Sequence, residues 1–205
     1  MQYISIPNSV LSIGDYAFSE CTGLEVVTIG DGVQTICDGA FNRCSNLTYV
    51  SFGNSVQVIC ADAFAQCYSI KSLVIPNSVT SIGDCAFMPC SSMTSVSIGD
   101  GVLSIGECAF LGCTDLMSVT LGNNISSIGN RAFECCNDLI SIHMRSSDIA
   151  LHVEIPDEQK VKQEFKYRVA QHFKQHNDNR VEKRVEQRVE QRVEQRVEQR
   201  VEQRV

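Results

Sequence analysis

The dipeptide Ala-Phe occurs at 17–18, 40–41, 63–64, 86–87, 109–110 and 132–133, each step 23 residues with no slip. A short fixed period confines a chain to repeat architectures, in which one supersecondary unit is copied and stacked. Other columns keep the same spacing. Three residues beyond each phenylalanine stands a cysteine: Cys21, Cys44, Cys67, Cys90, Cys113 and Cys136. Apolar residues follow at Leu24, Leu47, Ile70, Met93, Leu116 and Leu139, and then at Val27, Val50, Leu73, Val96, Val119 and Ile142. Ile29, Phe52, Ile75, Ile98, Leu121 and Met144 hold the next column. Val10, Val33, Val56, Val79, Val102 and Ile125 hold another, and Ile13, Ile36, Ile59, Ile82, Ile105 and Ile128 the last.

Each copy reads locally. Leu24-x-x-Val27-x-Ile29 ends in period-two alternation, the mark of a short strand. Gly30-Asp31-Gly32 and Pro76-Asn77-Ser78 are turn chemistry. Val33-x-x-Ile36 is a second short, partly buried segment. Asp15, Asp38, Asp84 and Asn130 sit just before the Ala-Phe pair and suit a helix N-cap, with Ala61 and Glu107 the weaker copies. Ala17, Phe18, Cys21 and Leu24 then fall on one face of a short helical turn.

No single unit of this length can bury its own apolar face, and stacking turns each column into a continuous ladder. Six copies exceed the roughly three that such stacks need. The expected fold is an α/β-type repeat solenoid over residues 1–145. It carries a parallel β-sheet of one short strand per coil on one face, and short strand and helical turns on the other. Phe18, Phe41, Phe64, Phe87, Phe110 and Phe133, with the six cysteines of the Ala-Phe-x-x-Cys column, form its structural ladder.

Residues 70–90, IKSLVIPNSVTSIGDCAFMPC, resemble the BspA-like (Treponema-type) leucine-rich-repeat family. Its pattern runs approximately Leu-x-x-Val-x-Ile-Pro-x-x-Val-x-x-Ile-Gly-x-x-Ala-Phe-x-x-Cys. The resemblance covers residues 1 to about 144. It implies a solenoid, no enzyme activity and no cofactor and, for many members, secretion or surface display and attachment to host or partner molecules. Met1 falls at the leucine position of a strand, so the chain is read as starting inside a repeat with no N-terminal cap. The start, MQYISIPNSV, shows neither a basic n-region nor an apolar h-region, so no signal peptide is read. No apolar run approaches the ~20 residues of a membrane helix. The compartment is left open.

Beyond Met144 the period is lost. Residues 146–156 are expected to add a capping strand, and 157–179 an amphipathic helix carrying Val161, Phe165, Val169, Ala170 and Phe173. Residues 180–205 are Val-Glu-Gln-Arg repeats. Valine every four residues drifts about 40° per repeat around a helix, so no coiled-coil seam forms. Glu186 and Glu190 would stack like charges, as would Arg188 and Arg192. This tract reads as a solvated low-complexity tail, disordered or partly helical. Of the 17 basic and 24 acidic residues, 4 and 12 lie in residues 1–145, so the acidity belongs to the solenoid. An acidic solenoid argues against nucleic acid as partner.

Catalytic and metal chemistry finds little support. The ladder cysteines read as small core hydrophobes. Cys37, Cys60, Cys85, Cys108 and Cys135 occupy other positions. Cys85-x4-Cys90 and Cys108-x4-Cys113 follow from the period rather than from a zinc site. An odd count of 11 cysteines fits a reduced compartment better than a disulfide framework. A Cys136–His143 dyad would need an exposed nucleophile. His172 and His176 share a helical face but lack a third ligand. Gly-Asp-Gly at 30–32 and 99–101 reads as turn rather than calcium loop, and Asn46-Leu47-Thr48 and Asn124-Ile125-Ser126 are glycosylation sequons.

Function is best sought on the sheet face. Residues flanking the strand valine point to solvent in two columns. One is Tyr3, Val26, Tyr49, Ser72, Ser95, Ser118 and Ser141; the other is Ser5, Thr28, Ser51, Val74, Ser97, Thr120 and His143. The bland reading is a solvated sheet chosen for strand propensity. The functional reading is a non-enzymatic, adhesion-type scaffold presenting this face to a protein or other macromolecule. Tyr3, Val26 and Tyr49 would then be the contact patch. The alternative is a structural role with no separate ligand, by self-association through the uncapped edge Met1–Ile6.

Overall fold

The structure, a computed structural model, describes residues 2–144. The expected capping strand, amphipathic helix and tail, with His172 and His176, lie outside the described residues.

Each coil contributes two strands, the longer one expected for the sheet face and a shorter one where a short strand was expected on the other. The longer ones are β1 (Tyr3–Ile6), β3 (Val26–Ile29), β5 (Tyr49–Ser51), β7 (Ser72–Ile75), β9 (Ser95–Ile98), β11 (Ser118–Leu121) and β13 (Ser141–Met144). The two-residue ones are β2 (Ser12–Ile13), β4 (Thr35–Ile36), β6 (Val58–Ile59), β8 (Ser81–Ile82), β10 (Ser104–Ile105) and β12 (Ser127–Ile128). All pairing is parallel and joins residues 23 apart, as in Val27 opposite Ile4 and Ile59 opposite Ile36. The short strands form one six-stranded sheet, whereas the long ones form a three-stranded sheet β1-β3-β5 and a four-stranded sheet β7-β9-β11-β13. The break falls after β5, where Phe52 replaces the usual aliphatic residue and turns edge-on to Phe64, with ring centroids 5.8 Å apart.

Between the short-strand sheet and the two long-strand sheets lies the core. Phe41, Phe64, Phe87 and Phe110 are fully buried. The six phenylalanine rings form one stack, with successive centroids 5.1–5.4 Å apart and planes within 10° of parallel. Coil spacing in a parallel ladder is about 4.8 Å, so in-register rings are forced face to face with a slight offset, an arrangement aromatic pairs tolerate. Phe18 and Phe133, at the ends, are only partly buried.

The expected helical turn is absent, and with it the α/β description: no helix occurs among the described residues. The cause is a column of left-handed backbone. Tyr16, Gly39, Asp62, Cys85, Cys108 and Arg131, each immediately before the alanine, have φ between 52° and 61°. A second column, Glu20, Arg43, Gln66, Gly112 and Cys135, has φ between 59° and 75°. Pro89 holds that position in the remaining coil, where its ring bars positive φ. One left-handed residue before Ala-Phe-x-x-Cys and one within it, just ahead of the cysteine, turn its amides outward from any helical path. They bond instead to the next coil, as in Phe41 N–H to the Ala63 carbonyl at 2.8 Å and Phe64 N–H to that of Ala86 at 2.8 Å.

The residues expected as N-caps also serve the next coil. Asp15, Asp38 and Asp84 accept from the backbone N–H of Asp38, Ala61 and Glu107, at 3.1, 3.0 and 2.6 Å. A parallel file does the same at the other corner: Asn8, Asp31, Asn77 and Asp100 accept from the amides of Asp31, Asn54, Asp100 and Asn123. These side chains satisfy amides in the turns that follow the short and the long strands.

A left-handed non-glycine residue costs roughly 1 kcal/mol. Asp62→Gly should therefore raise the urea midpoint by an amount equivalent to about 1 kcal/mol. Burial and the neighbouring Asp38 and Asp84 already hold the Asp62 carboxyl above the usual carboxylate range, so its loss removes a second strain. Gly39→Ala should lower the midpoint, because a Cβ there would run into the Tyr16 ring on a backbone with φ of 60°. A lower midpoint for Asp62→Gly would refute the backbone argument.

Candidate functional site

The long strands set their outward side chains in two straight files. Tyr3, Val26 and Tyr49 lie in register on β1, β3 and β5, and Ser72, Ser95, Ser118 and Ser141 on the four strands that follow. Beside them run Ser5, Thr28 and Ser51, then Val74, Ser97, Thr120 and His143. The alternation is steric: strand side chains point alternately to opposite faces, so Val27, Val50, Leu73, Val96 and Val119 are buried beneath them.

The face is uneven. Tyr3 is 56% exposed, Tyr49 55% and Val74 65%, while Val26 between the tyrosines is half-buried. Two coils separate the tyrosines, about 10 Å at parallel-strand spacing. Tyr3, Val26, Tyr49 and Val74 form an apolar and aromatic half, and the remainder of the face is small hydroxyl side chains ending in His143. Glu25 and Lys71 are exposed at its margin.

The cysteine column behaves as structure. Cys44, Cys67, Cys90, Cys113 and Cys136 are buried. Each thiol donates to the phenylalanine carbonyl of the coil before, as in Cys67 to Phe41 at 3.2 Å and Cys90 to Phe64 at 3.4 Å. Burial pushes the Cys90 thiol far up and the Cys113 thiol to about 12. The neighbouring Cys44 thiol, together with burial, holds Cys67 well above its ordinary range. Such thiols stay protonated at neutral pH and are poor nucleophiles and metal ligands. Cys21 departs from the column: it lies in the first coil and is exposed.

The other candidates do not converge. Cys136 donates to the Phe110 carbonyl inside the core, while His143 stands in the outward file beside Thr120. The Asp31 and Asp100 carboxylates of the Gly-Asp-Gly turns accept from the Asn54 and Asn123 amides. Among the described residues no group of three or more His, Cys, Asp or Glu side chains could hold a metal. No described helix is long and apolar enough to cross a membrane.

The two corner files of Asp and Asn side chains were not anticipated as coil-to-coil ties. Their signal was present, since positions 8, 31, 54, 77, 100 and 123 are all Asn or Asp.

Two-strand coils, an aromatic stack and an outward file of short polar side chains define a parallel β-solenoid of the leucine-rich-repeat class. The chain belongs to the BspA type leucine rich repeat family, whose profile it matches in six copies over residues 1–91 and 80–153. It is similar to a leucine-rich-repeat protein of T. pallidum at 27% identity and TM-score 0.67, over 70% of each chain. It is also similar to one of Bacteroides ovatus at 28% identity and TM-score 0.59, over 69% of this chain and 45% of that one. No curated protein matches.

Proposed function

We propose that the solenoid is a non-enzymatic binding scaffold of adhesion type that presents its long-strand face to a protein or other macromolecular partner. The observation that carries this reading is the exposed Tyr3, Tyr49 and Val74 around half-buried Val26, on a backbone already ordered by coil-to-coil hydrogen bonds. A rigid platform loses little conformational entropy on binding. Tyrosine supplies large contact area with few rotatable bonds. The hydroxyl files beyond would add shallow polar contacts.

Tyr3→Ser combined with Tyr49→Ser should weaken capture of a partner from host or cell extract by tenfold or more, since two interface aromatics are each commonly worth about 1–2 kcal/mol. The melting temperature should not fall, because both rings are more than half exposed. Undiminished capture by the double variant would remove the tyrosine patch from consideration.

A second reading rests on β1 and β2, the outer strands of their sheets. Outer strands offer unpaired backbone groups to a second copy. Light scattering separates the two readings: mass that rises with concentration favours self-association, and a constant monomer excludes it.

A further inference from the structure

We propose that the solenoid carries a built-in hinge at the seam between β5 and β7, about which its first coils tilt against the rest and adjust the sheet face to a partner. In the file that precedes the long strands, each backbone N–H donates to the carbonyl of its counterpart one coil earlier. Glu25 donates to Gln2 at 2.8 Å, Thr48 to Glu25 at 2.9 Å, Thr94 to Lys71 at 2.7 Å, Met117 to Thr94 at 2.9 Å and Ile140 to Met117 at 3.0 Å. By the same rule Lys71 would donate to Thr48, yet among the described residues that bond is absent. The two strands that follow these residues, β5 and β7, belong to separate sheets, whereas all other successive long strands are paired.

The cause lies in one side chain and one loop. Phe52 stands in the column that Ile29, Ile75, Ile98 and Leu121 fill as buried aliphatics. Its larger ring is only partly buried and meets Phe64 edge-on, so β5 ends at Ser51. The loop leading into the long strands changes its bonding at the same place. In the first two coils it closes on itself, with Thr22 N–H donating to the Glu20 carbonyl at 2.7 Å and Ser45 N–H to that of Arg43 at 2.8 Å. From the fourth coil on it ties to the coil before: Ser92 N–H to Tyr68, Asp115 to Ser91 and Asp138 to Thr114, each at 3.1 Å. In the third coil the Ser69 hydroxyl makes the tie instead, donating to the Ser45 carbonyl at 2.7 Å. Two loop geometries thus meet at the seam.

The opposite side of the molecule stays joined there. Val58 lies opposite Ser81 and Ile59 opposite Ile82 in the short-strand sheet, and Phe64 N–H donates to the Ala86 carbonyl at 2.8 Å. The short strands and the aromatic bend are therefore the pivot. Opening the long-strand side at this junction breaks no strand pairing, whereas at the others it would break three or four in-register pairs. Hinges take up such changes at the ends of elements, on the microsecond-to-millisecond scale. Tyr3, Val26 and Tyr49 ride on one side of the seam, and Val74 with Ser72 and Ser95 on the other. A tilt changes the step from Tyr49 to Val74 while each block keeps its own ladder. That use rests on reading this face as the contact surface; the hinge itself does not.

The test uses the full chain alone, by NMR. After correction for intrinsic rates, the Lys71 amide should exchange with deuterium about tenfold faster than those of Thr94 and Met117, the factor that a missing bond of ordinary strength gives. Relaxation dispersion should appear at Tyr49–Ser51 and Ser72–Ile75 and be absent from β6 and β8. Residual dipolar couplings from residues 2–51 and 72–144 should require two alignment tensors. Phe52→Ile, which returns the column to an aliphatic residue, should slow exchange at Lys71 and bring both blocks under one tensor. The proposal is overturned if Lys71 is as protected as Thr94 in the wild type, if one tensor fits both blocks, or if Phe52→Ile leaves exchange at Lys71 unchanged. None of these results depends on a partner, so they fail separately from the capture experiment with the tyrosine variant.

Discussion

Phe64→Ala is expected to destabilise the solenoid by about 3–5 kcal/mol, the usual range for emptying a buried phenylalanine site. That is a large fraction of the roughly 5–15 kcal/mol that keeps a domain folded. Phe64 is fully buried. Its ring stacks on Phe41 at 5.1 Å and on Phe87 at 5.4 Å, and it meets the edge of Phe52. The cavity cannot collapse easily, because the coils above and below are held apart by backbone ladders at fixed spacing. Phe133→Ala, at the partly exposed end of the stack where the ring lies on Phe110 at 5.1 Å, should cost less than half as much. Phe64→Leu separates the contributions: it restores most of the volume and removes only the ring contacts, each worth about 0.5–1.5 kcal/mol. Urea denaturation of the three variants measures the order. Equal losses at Phe64 and Phe133 would mean that the stack is not a continuous element.

Excision provides the second large contrast. Removing residues 64–86 takes out 23 positions and joins Ala63 to Phe87, so every column keeps its register. The shortened chain should fold cooperatively, losing only the stability of one coil and one interface. Removing residues 64–75 takes out 12, about half a coil. Strand residues would then lie over turn residues, and Val96 and Val119 could no longer sit above Val50. This chain should lose cooperative unfolding altogether, since a sheet with one buried face specifies its register strongly. Circular dichroism melts distinguish the two. A half-coil excision that melts as sharply as the full-coil one would show that the columns do not govern the fold.

The solenoid was legible in the sequence because repetition multiplies weak signals. One Val-x-Ile pair says little, but six copies of Val27, Val50, Leu73, Val96, Val119 and Ile142 specify a buried ladder. The Ala-Phe-x-x-Cys turn was misread as helical for an equally physical reason. Spacings of three and four suit a helix, and the left-handed φ at Tyr16, Asp62 and Arg131 leaves no residue signature, since only Gly39 and Gly112 are glycines in those two columns. The second strand shows in the sequence only as the short segment Val33-x-x-Ile36, because Thr35–Ile36 and its equivalents are two residues long, too short for alternation to register. The same stacking explains why Asp15, Asp38 and Asp84 read as caps. An Asp before a turn looks alike whether its carboxylate serves an amide of its own coil or one 23 residues away. The outward files could be placed by alternation alone, yet no arrangement of Ser and Thr names the molecule that meets them.

The backbone bonds between coils all span 22 to 24 residues. Parallel sheets usually assemble late, because joining distant strands costs more chain entropy as the intervening loop lengthens. Here each closure is the same short one, whichever coil is being added. Growth can start at any coil and spread in both directions, so a version with twice as many turns should acquire each one no more slowly than this chain does.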